Sequence, residues 1–232
     1  MKQATQNRVC HIFGAGERVC TDDLARPAGE DLLIAADGGF EWVSELASAD
    51  EAFRADIFVG DFDSATESAA EIRVKCAATG TEVVELPVVK DDTDTGVCVR
   101  EGMLRGCRTF YIYGGTGGRW DHTIANLQLL THIAREGGRG FLIGADLCAT
   151  TVNAGEKIAI KGKPGGHLSV FSAGGEVTGV TITGAKYETE RVTLTDDYAL
   201  GVSNSFTAPA TTIACEKGTL LVVGEFLPKD VD

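Results

Sequence analysis

Up to about residue 145, short apolar runs alternate with stretches of helical periodicity. Val9 to Phe13, Asp31 to Ala35, Asp56 to Val59, Glu82 to Leu86, Arg108 to Tyr113 and Gly140 to Ile143 read as strands. Such alternation is expected when parallel strands are joined by crossover helices. Ile124, Leu127, Leu130 and Ile133 or Ala134 recur at helical spacing, so Asp121 to Arg135 is predicted as a helix, stopped by Gly137 and Gly138.

Beyond residue 145 the pattern becomes β-like, with Leu168 to Phe171, Val177 to Ile182, Arg191 to Leu194, Thr211 to Cys215 and Leu220 to Val223. Gly155, Gly165-Gly166, Gly174-Gly175, Gly184 and Gly218 separate these segments at the close spacing of a sandwich or barrel. The expected fold is therefore α/β then all-β: residues 1–145 as a Rossmann-like, mostly parallel sheet domain and 146–232 as a β-sandwich. No fixed-period repeat or low-complexity segment interrupts it.

With 232 residues and 44% apolar composition the chain can bury a real core. No run approaches the roughly 18 apolar residues of a membrane span, and the expectation is a soluble, cytoplasmic protein with no membrane partner. Seven cysteines with no Cys-x-x-Cys pair fit buried thiols in a reducing compartment. A net charge of -13 argues against a nucleic-acid surface. An acidic chain still binds a polyphosphate when cations stand between the two sets of negative charge, so the placement of its aspartates matters more than their number.

Three acidic or glycine-rich motifs follow predicted strands, on the edge where open α/β sheets hold ligands. Ala36-Asp37-Gly38-Gly39 comes directly after one strand; its glycines let backbone approach a ligand, although alone it also fits an ordinary capped turn. Gly60-Asp61-Phe62-Asp63-Ser64 follows another, and its carboxylates two apart converge on one hard cation if the segment turns. In Lys90-Asp91-Asp92-Thr93-Asp94-Thr95, three aspartates in four residues exceed what one helix cap needs. Asp91 or Asp94 is expected to complete the metal cluster of Asp61 and Asp63.

A fourth motif, Gly114-Gly115-Thr116-Gly117-Gly118-Arg119-Trp120-Asp121-His122, joins a strand to the long helix. Clustered glycines expose backbone amides at a helix N-terminus, which suits phosphate oxygens, and Arg119 is the natural phosphate cation. No Gly-Lys-Ser/Thr follows, so this is not a Walker A loop. His122 suits either a proton carrier or a structural partner of Asp121 and the loop.

In this order the four motifs resemble those of thiamine pyrophosphokinases. Gly179-Val180-Thr181-Ile182-Thr183-Gly184-Ala185-Lys186-Tyr187 and Gly201-Val202-Ser203-Asn204-Ser205 resemble that family's thiamine-binding signatures, so nearly the whole chain is covered. Tyr187, where eukaryotic members tend to carry Trp, resembles the bacterial branch. The resemblance implies an Mg²⁺-dependent transfer of the diphosphoryl group of ATP to thiamine, releasing AMP. It implies Asp61, Asp63 and Asp94 on the metal, and these with Arg119 as the catalytic set. Asp37, Gly38, Gly39, Ser64, Asp91, Gly115, Thr116, Gly117, Gly118, Asp121 and His122 would line the nucleotide site, and Tyr187, Ser203 and Asn204 would meet thiamine. A homodimer with shared active sites is also implied. The rivals are a related pyrophosphokinase acting on another alcohol, such as a hydroxymethyl pterin, and a non-catalytic sensor of nucleotide or thiamine. Retention of every metal carboxylate argues against the sensor.

Overall fold

The computed structural model describes residues 8–61, 68–87 and 92–232. Two compact units emerge, one ending at Asn126 and the other running from Leu127 to Asp232. The division falls inside the helix Trp120–Arg135, whereas the sequence pattern changes from α/β to β only near residue 145.

The first unit carries five strands: β1 (Val9–Phe13), β2 (Leu32–Ala36), β3 (Ile57–Gly60), β4 (Glu82–Glu85) and β5 (Thr109–Tyr113). All their pairings are parallel, in the order β5-β1-β2-β3-β4, with β1 and β5 in register from Val9↔Thr109 to Phe13↔Tyr113. The helices are α1 (Gly39–Ala49), α2 (Ala69–Thr79), α3 (Asp94–Leu104) and the start of α4 (Trp120–Arg135). Alternation along β1 sends Cys10 towards Gly102 of α3 and Phe13 against Trp42 of α1, with ring centroids 5.0 Å apart. Residues at odd separation point to opposite faces, so helices cover both sides of this sheet. That double burial is why β2 and β3 are apolar at nearly every position.

Helix ends follow local chemistry. Ser68 and Glu71 form a reciprocal capping box on α2, and Gly80, at φ 74°, closes it in the left-handed conformation. Thr93 caps α3 by accepting from the Gly96 amide at 3.1 Å.

The second unit contains the remainder of α4 and two antiparallel sheets. One has the order β12-β9-β14-β7-β6 and the other β11-β10-β13-β8. Their strands are β6 (Arg139–Ile143), β7 (Cys148–Asn153), β8 (Lys157–Lys161), β9 (His167–Ser172), β10 (Val177–Thr183), β11 (Thr189–Leu194), β12 (Asn204–Ser205), β13 (Ala210–Ala214) and β14 (Thr219–Gly224). Leu220 and Val222 of β14 are fully buried while Leu221 and Val223 are half-buried, the period of two that builds this core. Gly137 and Gly138 end α4 as expected, their amides donating to Ala134 and Ile133 carbonyls.

Five of the β segments expected after residue 145 are named from the sequence, and eight strands are present there, from β7 to β14. The missed strand β7 is rich in alanine and threonine rather than in large apolar residues, yet it is buried along nearly its whole length. Thr150 is tolerated there because its hydroxyl donates to the Gly140 carbonyl at 2.8 Å. Among the described residues no helix is long and apolar enough to cross a membrane.

Candidate functional site

The chain leaves β1 towards β2 and returns to β5 on the other side of β1, so the loops beyond these two strands part and open a crevice. A cavity of about 660 Å³ lies there, within the usual range for a small-molecule site. It is lined by the ends of β1 and β2, the start of α3, the glycine loop after β5 and the first turns of α4.

Asp37, Asp94, Thr116, Gly115, Gly117, Gly118, Arg119 and His122 all line this cavity, joining motifs that lie up to 85 residues apart (122 minus 37). Asp37 is buried and sits in the turn from β2 to α1 at φ 48°, a left-handed conformation costly for a non-glycine residue. A Cβ on Gly60 would fall 2.3 Å from Asp37 Oδ1, so the carboxylate rests directly on the backbone preceding Asp61. Gly39 is needed for packing: a Cβ there would lie 2.0 Å from the Phe13 carbonyl oxygen, where α1 meets the end of β1. Asp63, Ser64 and Asp91 lie outside the described residues.

The acidic run before α3 divides its labour. Asp92 accepts from the Thr93 amide at 2.8 Å and pairs with Arg100 at 3.0 Å, and so it sets the helix start. Asp94 faces the cavity instead. Burial pushes up the pKa of the Cys98 thiol, and the negative charges of Asp94 and Asp37 nearby add to the shift. Carboxylates such as Asp37 and Asp94 suit a hard oxygen-seeking cation such as Mg²⁺, although among the described residues no group of three or more potential ligands is assembled.

Arg119 is well exposed at the rim and forms a two-pronged pair with Asp121, at 2.6 and 3.2 Å. The guanidinium holds the Asp121 carboxyl down to a pKa of about 2. The pair leaves Arg119 on solvent-exposed side chains that can re-orient to a bound phosphate.

The sequence reading overlooked Gly14, Gly16, Glu17 and Asn126. Gly14 and Gly16 donate their amides to the Tyr113 and Gly114 carbonyls, and Glu17 to that of Thr116, each at 2.8 Å. A Cβ on Gly16 would stand 2.5 Å from both the Gly114 and Thr116 oxygens, so only glycine allows this approach. Asn126 is buried, and its side-chain amide donates to the Gly115 carbonyl at 2.8 Å. A Gly-x-Gly directly after a predicted strand was the available signal for the first pair; nothing local marks Asn126.

In the second unit, Tyr187 is half exposed beside a small hollow of about 60 Å³ lined also by Val180, Ile182, Leu200 and Val202. The Lys186 ammonium lies 5.1 Å from the Tyr187 ring centroid, within the distance of a cation–π contact. Asn204 is buried and its amide is committed: it donates to the Tyr187 carbonyl at 2.8 Å and accepts from the Tyr187 and Ser205 amides at 2.9 Å. It thus clamps the backbone that carries the aromatic ring. Ser203, exposed and left-handed at φ 61°, receives no contribution from glycine flexibility and is held by a bond from its amide to Ser169 Oγ at 3.3 Å.

Two family models match in this same order. Residues 28–142 match the thiamin pyrophosphokinase catalytic domain and residues 156–220 its vitamin B1 binding domain, together more than half of the chain. The chain belongs to the thiamin pyrophosphokinase family. A thiamine pyrophosphokinase from Bacillus subtilis is 28% identical over 164 residues, 71% of this chain and 75% of that protein. The solved structure of the Bacillus subtilis enzyme superposes with a TM-score of 0.79 over 94% of this chain and 99% of its own, at 24% identity. A family member from Enterococcus faecalis gives 0.71 at 25% identity, covering 94% and 98%. The Candida albicans enzyme, only 14% identical, still gives 0.74, covering 94% and 90%, so the fold outlasts most of the sequence. The catalytic model covers Asp37, Asp94 and the glycine loop of the crevice but not its Gly14–Glu17 wall, while the vitamin-binding model covers Tyr187 and Asn204.

Proposed function

We propose that this protein, as a thiamine diphosphokinase, binds ATP in the crevice at the end of the parallel sheet and transfers its diphosphoryl group to the hydroxyethyl oxygen of thiamine. The single observation that carries this reading is the cavity itself, which brings Asp37 and Asp94 together with the glycine loop and Arg119. Carboxylates and a phosphate cradle in one cavity are contradictory without a cation between them. Mg²⁺ held by Asp61, Asp63 and Asp94 would neutralise and polarise the phosphate oxygens when bound.

The chain's own residues then do the rest. The amides of the glycine loop and Arg119 hold phosphate oxygens, and charge developing on them in the transition state is stabilised by these fixed dipoles. The attacking hydroxyl oxygen bonds to the β-phosphorus, the bond from that phosphorus to the α,β-bridging oxygen breaks, AMP departs and the hydroxyl proton is released. Of the other residues assigned to the nucleotide, His122 lines the same cavity, while Gly38, Gly39, Asp121, Ser64 and Asp91 are assigned to it by the family resemblance.

Thiamine is flat and carries a thiazolium cation, which suits the Tyr187 ring. Asn204 contributes by fixing that ring's backbone and Ser203 by offering its hydroxyl. The working form is a cytoplasmic homodimer with shared sites, each chain divided near residue 145 into a Rossmann-like ATP domain and a thiamine-binding β-sandwich. Seven unbridged cysteines, six of them buried, suit such a reducing compartment.

The test is purified protein with Mg-ATP and either thiamine or a hydroxymethyl pterin, scored for AMP and the diphosphate ester. Thiamine diphosphate and AMP in equal amounts are expected. ADP as the nucleotide product, or turnover of the pterin alone, would refute the assignment.

A further inference from the structure

A trans peptide unit is planar, so its carbonyl and its amide point in opposite directions. Anchoring a carbonyl on one side therefore aims the next residue's N–H at the other. In the loop after β5 four consecutive carbonyls are anchored: Tyr113 by the Gly14 amide, Gly114 by Gly16, Gly115 by Asn126 Nδ2 and Thr116 by Glu17, every one at 2.8 Å. The amides of Gly115, Thr116 and Gly117, which share peptide planes with the last three, donate to no group among the described residues. All three residues line the cavity. The Thr116 hydroxyl, buried there as well, has no hydrogen-bond partner among the described residues.

Three of the four anchors are backbone groups of β1's loop. Asn126 is the one side chain, placed on α4 two turns inside the helix and 4% exposed. We propose that Asn126 is a positioning residue for the nucleotide: by holding the Gly115 carbonyl it turns the Thr116 amide, in series with its neighbours, towards the phosphate chain. Its role presupposes that the cavity takes a nucleotide, but not that thiamine is the acceptor. Asparagine is suited because it is neutral and donates; a carboxylate here would be repelled by the Gly115 oxygen and by the ligand's charge.

Titration calorimetry of Mg-ATP binding tests this without requiring turnover, using wild type, Asn126→Leu and Asn126→Gln. Leucine keeps the approximate volume and removes the donor; glutamine keeps a donor. Asn126→Leu is expected to weaken Mg-ATP binding by about ten- to a hundredfold, the usual effect of losing one buried donor. The KM for thiamine should stay within about twofold and Asn126→Gln should recover part of the loss. Should Asn126→Leu fail to fold, Asn126→Ser, too short to reach Gly115, is measured in the same way. Gly16→Ala displaces the Gly114 and Thr116 carbonyls from the opposite side and must show the same selective loss. Unchanged Mg-ATP affinity in a folded Asn126 variant, or equal losses for both substrates with a lowered melting temperature, overturns the proposal. Wild-type protein that binds Mg-ATP but yields no thiamine diphosphate would refute the function above and leave the role of Asn126 standing.

Discussion

The cavity of the first unit and the hollow of the second are built from opposite materials. In the crevice beyond β1 and β5, side chains have been removed so that backbone groups can approach, with Gly14 and Gly16 closing on Gly114 and Thr116. Beside β10 and β11 the backbone is instead braced so that one side chain can be presented, with Asn204 gripping both backbone groups of Tyr187. Phosphate is small, symmetrical and charged, and amide dipoles satisfy it from any sequence. A flat heteroaromatic cation needs a shaped, polarisable face, which only a side chain provides. The expectation is that damage to the first region shows in ATP terms and damage to the second in thiamine terms.

The strongest test of that division is Asp61→Asn, which should lower kcat by about a hundred- to a thousandfold, the scale of losing one electrostatic partner of the transition state. The melting temperature should hold, since Asp61 stands past the end of β3 and outside the core. A variant with near-normal turnover at limiting Mg²⁺ would remove the metal role. Arg119→Ala comes next, raising the KM for Mg-ATP by about tenfold or more through loss of a charge-assisted contact, with thiamine little affected. Steady-state kinetics with each substrate varied in turn decide it; a rise confined to thiamine would break the comparison.

Tyr187→Ala should do the converse. Its KM for thiamine should rise about two- to thirtyfold, the range of a cation–π contact of about 0.5 to 2 kcal/mol. If Mg-ATP affinity falls equally, the ring is structural and the contrast between the units fails.

The smallest effect belongs to neither site. His11, in the middle of β1, is almost fully buried between Tyr111 and Tyr113, and neither ring nitrogen has a hydrogen-bond partner among the described residues. Burial lowers its pKa below the ordinary 6.5, with Asp31, 3.6 Å away, opposing the shift. As pH falls the unfolded chain takes up this proton first, so the stability from neutral His11 is whole above about pH 6.5 and lost as pH drops through it. Urea midpoints at pH 8 and pH 5.5 should diverge more for wild type than for His11→Phe. Equal pH dependence in both would show that His11 does not titrate differently on folding.

Sequence patterns disclosed the first unit better than the second, for a physical reason. Strands β1, β2, β3 and β5 are buried on both faces and so appear as apolar runs, and the aspartate motifs stand directly at their ends. Strand β7 hides because hydroxyls satisfied inside the fold look polar in a sequence. The cap at Thr93 and the cavity-facing Asp94 were separable only once Asp92 was seen to hold Arg100. Asn126 was invisible because its meaning depends on a carbonyl 11 residues earlier across the crevice rather than on any spacing. Tyr187 could be singled out in advance, whereas the clamp that Asn204 forms on it could not, because a buried amide and a ligand-binding amide have the same letter.

The close approach at Gly14, Gly16 and Gly39 also has an evolutionary consequence. Every single-nucleotide change that alters a glycine codon to another amino acid adds at least a Cβ, and at these three positions that atom would lie 2.0 to 2.8 Å from a carbonyl oxygen. Such sites have no permissive neighbours in sequence space, however mild the replacement. Ala15, set between two of them, is exposed and already carries a Cβ, so its limit is set by the cavity it lines rather than by backbone. Drift in this loop is therefore expected to be uneven: frozen by backbone at Gly14 and Gly16, and limited at Ala15 by what the cavity must hold.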